Sequence, residues 1–93
     1  MELGNELEAP CKVMVLMSTY NGQRYLQEQL DSIYRQKDVV CSVYVRDDGS
    51  SDGTCNLLEW EQERGALKWY AGRNLGPAGS FWDLLLHAPQ SEW

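Results

Sequence analysis

Two short polar clusters carry the residues best able to hold a ligand: Ser18-Thr19-Tyr20-Asn21 and Asp47-Asp48-Gly49-Ser50. A tyrosine ring can stack on a nucleobase, and an ionised carboxylate accepts hydrogen bonds from a ring N–H or from ribose hydroxyls. Each cluster ends an apolar run. Strands lying side by side, about 5 Å apart, would bring Tyr20, Asp47 and Asp48 to the rim of one crevice. Each residue also has a plainer role. A tyrosine at a strand end can pack on the helix that follows, while Asp47, Asp48 and Asp52 can serve as turn and helix-capping residues, and at least one of the three is expected to do so. Asn74 and Gly76 either border the same crevice or close a turn. His87 is the single histidine; with no serine or cysteine partner identified, a structural role is expected over a catalytic one.

The elements that must position these residues follow from hydrophobic spacing. Val13 to Met17 is a continuous apolar run bounded by turn residues, as in a parallel strand covered on both faces. Leu26, Leu30 and Ile33 recur at i, i+4 and i+7, with Tyr34 beside them, which predicts a helix ending near Gln36. Val39 to Val45 reads as a second buried strand, stopped by turn formers and helix caps. A weaker helix is expected from about Asp52 to Arg64, with Leu57, Leu58 and Trp60 as candidate buried contacts and Gly65 ending it. Leu67 to Ala71 would be a short third strand. Gly76-Pro77 would open a third helix, whose Phe81, Leu84, Leu85 and Ala88 mark an apolar face. Three strand-helix units imply an α/β parallel sheet of the nucleotide-binding type, with ligands at the carboxyl ends of its strands. Residues 1–11 are acidic and lack a period, so they are expected to form a disordered leader to a domain over 12–93.

Composition narrows the function. A chain of 93 residues with a net charge of -6 and no basic patch excludes a nucleic acid polymer as partner. Cys11, Cys41 and Cys55 show no metal or disulfide spacing and are read as reduced and structural. Neither a membrane span nor a signal peptide is visible, so a cytoplasmic protein is expected, with peripheral attachment to the inner face of the membrane compatible with it. The loop Thr19-Tyr20-Asn21-Gly22-Gln23-Arg24 holds one glycine where a dinucleotide fold needs three, and no triphosphate-gripping loop exists. Binding would lean on base and ribose, with the diphosphate left to a metal or to basic groups elsewhere, which suits a sugar nucleotide.

The segments Val15-Leu16-Met17-Ser18-Thr19-Tyr20-Asn21-Gly22, Leu30-Asp31-Ser32-Ile33-Tyr34-Arg35-Gln36 and Val45-Arg46-Asp47-Asp48-Gly49-Ser50-Ser51-Asp52-Gly53-Thr54 closely resemble the start of family 2 glycosyltransferases. Gly72 to Phe81 continues the likeness. The resemblance implies a GT-A, Rossmann-like half domain and transfer of a sugar from a nucleotide-diphosphate donor to a glycan or lipid-linked acceptor hydroxyl. It assigns Ser18 and Tyr20 to the nucleoside, with Tyr20 against the base, and Asp48 to a hydrogen bond with the base. Asp47 would line the same pocket or brace it. The flavour is that of bacterial lipopolysaccharide or capsule enzymes, including rhamnosyltransferase-like members.

One departure bears on mechanism. Such enzymes hold Mg²⁺ or Mn²⁺ with an Asp-x-Asp motif on the next strand and use a later carboxylate as base, and neither motif is present in this chain. No catalytic residue is therefore assigned, the chain is expected to bind no metal by itself, and it is expected to be inactive alone. Two other readings stand beside this one: a non-catalytic nucleotide-binding module, and an interaction domain presenting Tyr20, Trp69 and Trp82. A phosphoacceptor receiver would cluster its aspartates after strands one and three, which this chain does not do. Self-association is expected of a sheet with an uncovered edge.

Overall fold

A computed structural model describes residues 11–36 and 39–88. Strand and helix alternate over them: β1 (Cys11–Thr19), α1 (Gln23–Tyr34), β2 (Val39–Asp47), α2 (Thr54–Glu63), β3 (Lys68–Ala71) and α3 (Gly76–His87). The strands form one parallel sheet in the order β1-β2-β3, as the three-unit reading requires. β1 takes in Cys11; the rest of the expected leader lies outside the described residues.

Side chains alternate across a strand, so the sheet has two chemically distinct faces. Val43 and Val45 form one of them with Leu26 and Leu30 of α1, Leu58 of α2, and Leu67, while Val15, Met17 and Trp69 pack against this cluster. The other face carries Ser18, Arg46 and Tyr70 in a single row, because Ser18 pairs with Arg46 and Arg46 with Tyr70. Hydrogen bonds that Ser80 and Asp83 accept from Arg46, with the Ser18–Ser80 hydroxyl contact, lay α3 on this row. The result is a three-layer α/β/α sandwich with one apolar seam and one polar seam.

α1 buries Leu26 and Leu30, with Ile33 beside them. α2 differs from expectation. Leu58 is buried, but the next turn places Glu61 inside at 1% exposure and leaves Trp60 51% exposed, under the Arg64 guanidinium. Neither carboxylate oxygen of Glu61 has a hydrogen-bond partner, and its ion pair with Arg64 is long at 3.7 Å. Gly65 ends the helix as expected, with a φ of 81° that only glycine adopts cheaply, and its N–H donates to the Gln62 carbonyl at 2.9 Å.

α3 is rotated from its expected face. Leu84 is buried together with Ser80, whereas Phe81 and Leu85 are 45% and 42% exposed and Ala88 is half-buried. The cause lies in the sheet beneath. A buried guanidinium needs polar partners, and turning Ser80 and Asp83 toward Arg46 supplies them at the expense of two apolar contacts.

Candidate functional site

Thr19 pairs with Asp47, and the Asp48 N–H donates to the Thr19 carbonyl at 2.8 Å, so the two strand ends meet as the sequence requires. The loops beyond them are clasped together. Asn21 N–H donates to Ser50 Oγ at 2.7 Å, and the Asn21 side-chain oxygen accepts the N–H groups of Ser51 and Asp52 at 2.8 and 3.3 Å. Gly22 N–H reaches Thr54 Oγ1 at 2.9 Å, Gln23 N–H reaches Asp52 Oδ2 at 3.2 Å, and Gly53 N–H returns to Gln23 Oε1 at 2.8 Å. Asp52 also accepts the Thr54 N–H at 2.9 Å at the start of α2. It is the structural aspartate that the turn chemistry anticipates.

Asp47 is 1% exposed. It accepts the Ser50 N–H at 2.8 Å, the Ser50 hydroxyl at 2.6 Å and the Cys55 thiol at 3.4 Å, which makes it a brace for the β2–α2 turn. Asp48 is 3% exposed. Its Oδ1 accepts Arg46 Nη1 at 2.6 Å and the Leu75 N–H at 2.9 Å, and its Oδ2 accepts the Gly76 N–H at 3.1 Å. Burial disfavours its charge, but the Leu75 N–H, the Arg46 guanidinium and the Gly76 N–H outweigh that and hold the carboxyl below the usual range. A carboxylate offers about four lone-pair sites, so three donors leave one acceptor position, on Oδ2.

Tyr20 stands at the rim with 54% of its surface exposed. Ser18 sits one row lower, half-buried, its Oγ 2.5 Å from Ser80 Oγ. Ser18 and Asp48 thus lie on the α3 side of the sheet, and Tyr20 projects beyond the strand end. Asn74 does border the crevice, its side-chain N–H donating to the Asp48 carbonyl at 3.0 Å. His87 lies against the Tyr70 ring, tilted 45° with centroids 5.5 Å apart, and sends its Nδ1–H to the Asp83 carbonyl at 2.9 Å, a structural placement. Trp69 belongs to the core, while Trp82 is 63% exposed.

The sequence reading missed Arg46, the largest fully buried side chain. Its Nη1 donates to Asp48 and to Ser80 Oγ at 2.9 Å, its Nε to Asp83 Oδ2 at 2.8 Å, and its Nη2 to the Arg73 carbonyl at 3.1 Å. Tyr70 adds its hydroxyl to Asp83 at 2.8 Å. A partial signal existed: Asp83 is the one acidic residue of a mostly apolar α3, which calls for a cationic partner beneath it, whereas Arg46 sits next to Asp47 at the end of β2.

Among the described residues no group of three histidines, cysteines or acids could hold a metal ion. Asp47 and Asp48 face N–H, O–H and guanidinium donors, an environment built for carboxylates already neutralised and unfit for a divalent cation.

Comparisons with known proteins agree with this architecture. The chain is 51% identical over 43 residues to the dTDP-rhamnosyl transferase RfbG of Shigella flexneri, covering 46% of this chain and 15% of that protein. It is 31% identical over 72 residues to the uncharacterized glycosyltransferase alr2836 of Nostoc sp., covering 75% of this chain and 22% of the relative. The mannosyltransferase PcManGT from Pyrobaculum calidifontis, solved in complex with GDP-Man and Mn2+, superposes with a TM-score of 0.63 at 29% identity, over 83% of this chain and 24% of that one. The chain therefore spans about a quarter or less of each. Residues 14–88, from the middle of β1 through the last residue of α3 and one beyond, match the profile of Glycosyl transferase family 2. With its open parallel sheet and its clasped strand ends, the chain belongs to that family.

Proposed function

We propose that this chain is the nucleoside-binding part of a glycosyltransferase that moves a sugar from a nucleotide-diphosphate donor to an acceptor hydroxyl of a bacterial surface glycan. The observation that carries the reading is the meeting of two strand ends: Tyr20 stands exposed above the joint, and Ser18 and the last acceptor site of Asp48 lie beside it. Tyr20 would stack on the base and Ser18 would bond the nucleoside. Asp48 would accept a ring N–H through the position left open on Oδ2. Asp47 braces the turn from below. The dTDP named for RfbG and the GDP-Man named for PcManGT make dTDP and GDP the first nucleotides to try. Mg²⁺ or Mn²⁺ on the diphosphate, as in the PcManGT complex, would be held by residues other than those described here. A glycan or lipid-linked acceptor and a cytoplasmic setting belong to the same proposal.

The test is an NMR titration of the chain with UDP, dTDP, GDP and NAD, with and without Mg²⁺, repeated on Tyr20→Ala. Shifts at Ser18, Tyr20 and the Leu75 and Gly76 amides, reduced several-fold in Tyr20→Ala and indifferent to Mg²⁺, are expected. A folded chain that shows no shift with any nucleotide would remove the nucleoside site.

A further inference from the structure

We infer that Arg46 is a positioning residue for the nucleoside, holding Asp48 as an acceptor and leaving Ser18 as a donor through the hydroxyl of Ser80. The inference rests on the nucleoside reading above and adds to it a residue that touches no ligand.

The argument begins with burial. Arg46 is 2% exposed, and a guanidinium taken out of water is tolerated only when its N–H groups are matched. Four hydrogen bonds match it, and they come from three places: Asp48 beyond β2, Arg73 in the β3–α3 loop, and Ser80 and Asp83 on α3. The group therefore ties the strand end, the loop and the helix into one body.

One of those bonds ends on a candidate nucleoside contact, and a second reaches another through a relay. Asp48 Oδ1 is held directly, which fixes the carboxylate plane and leaves Oδ2 turned to the Gly76 N–H and to the one remaining site. Ser18 is reached through Ser80. Arg46 Nη1–H points at Ser80 Oγ from 2.9 Å. A cation at that distance repels the serine's own hydrogen, so Ser80 turns its O–H away, toward Ser18 Oγ. Ser18 then accepts that proton's hydrogen bond, and its own O–H is free to donate to a ligand. One guanidinium thus sets opposite hydrogen-bonding polarities on two neighbouring groups, an acceptor and a donor, the pattern that a nucleoside edge with its own donors and acceptors requires.

The neighbours of the network keep the polarity fixed. Asp83 of α3 accepts the guanidinium's Nε–H and the Tyr70 hydroxyl, and His87 Nδ1 lies 3.5 Å from its Oδ2. Asp47 turns away from Arg46 into its own turn.

The experiment measures dTDP and GDP affinity across pH for the wild type, Arg46→Lys, Arg46→Met and Ser80→Ala, with the Asp48 carboxyl followed by carbon NMR. Arg46→Met is expected to weaken binding about tenfold or more and to move both the Asp48 titration and the acid limit of binding upward in pH. Arg46→Lys keeps a positive charge and should restore the Asp48 titration without restoring full affinity, since one ammonium cannot span both partners. Ser80→Ala should weaken binding several-fold and leave the Asp48 titration in place. Should Arg46→Met fail to fold, Arg46→Lys and Ser80→Ala still decide the matter. Folded variants with wild-type affinity and an unmoved acid limit would overturn the role of Arg46 alone. A wild type that binds neither nucleotide would overturn the nucleoside reading and this inference with it.

Discussion

The side-chain oxygen of Asn21 accepts the backbone N–H groups of Ser51, at 2.8 Å, and Asp52, at 3.3 Å, so the loops after β1 and β2 are one structure. Asn21 also holds a left-handed φ of 48°, a conformation that asparagine tolerates better than other side chains. Asn21→Ala removes the acceptor and keeps the strain. It should cost about 2 kcal/mol in urea unfolding, and Asn21→Gly, which relieves the strain, should cost less. Equal losses for the two would mean that the clasp, and not the conformation, sets the stability.

Gly72 lies directly against the Arg46 guanidinium, and a Cβ placed there would collide with Nη2. Because Arg46 is bonded to Asp48, Ser80 and Asp83, the guanidinium has no cheap way to retreat. Gly72→Ala should therefore destabilise by about 1–3 kcal/mol and displace the Asp48 and Ser80 resonances. Unmoved resonances would show that the arginine is looser than its four bonds imply.

These two sites mark what the sequence could and could not convey. The apolar runs of β1 and β2 and the Leu26/Leu30 spacing of α1 were legible because burial alone dictates them, and two parallel strand ends then had to meet at Thr19 and Asp47. The polar side of the sheet was not legible. Arg46 adjoins the polar cluster in sequence and reads as part of the turn, yet it is the penultimate residue of β2 and faces α3. That misplacement carries over to α3: with Arg46 unrecognised, Phe81 and Leu85 looked like the buried face in place of Ser80 and Asp83. In the same way Trp60 was a more plausible core residue than Glu61, since an acid without a hydrogen-bond partner is a poor guess for an interior position.

Glu61 invites a direct test. Its carboxylate is buried without a hydrogen bond, and among the described residues the long contact to Arg64 is the one ion pair that opposes the loss of hydration. Replacing a poorly matched buried charge by an apolar group of similar volume is often neutral or favourable. Glu61→Met should raise stability by about 1 kcal/mol in thermal or urea unfolding. A loss of about 2 kcal/mol instead would reveal a partner that the carboxylate depends on.

Cys55 and Tyr70 give stability an alkaline dependence. Burial, and then the hydrogen bond and charge of Asp47, push the Cys55 thiol up to about 11 from 9.0, and burial with the hydrogen bond to Asp83 pushes Tyr70 up to about 12 from 10.0. A group whose folded value is raised contributes stability fully below its unfolded value and loses it as pH climbs through the folded one. Stability should thus decline from about pH 9 upward, across the interval 9–11 for Cys55 and 10–12 for Tyr70. The same shift keeps Cys55 almost wholly as the thiol at pH 8, so alkylation there should be slow and should quicken in Asp47→Asn. Rapid labelling of Cys55 in the wild type would contradict the burial and the Asp47 contact together.

α3 carries the last prediction on its outer surface. Phe81, Trp82, Leu85 and Leu86 are 45%, 63%, 42% and 65% exposed on one helix, while Leu84 between them is fully buried. Four large apolar side chains within about two turns exceed the scattered surface residues of an ordinary soluble face, and they favour association. The net charge of -6 on each copy opposes it, most strongly at low salt. We therefore expect reversible self-association that strengthens with salt, seen as a rise in weight-average mass with concentration in sedimentation equilibrium. Trp82→Ser with Leu86→Ser should abolish the rise and leave the unfolding midpoint nearly unchanged, because neither side chain contributes to the interior. Leu84→Ala should instead lower stability by about 2–5 kcal/mol, as buried leucines do. A wild type that sediments as a monomer at every concentration and salt would show that charge repulsion outweighs the apolar face of α3.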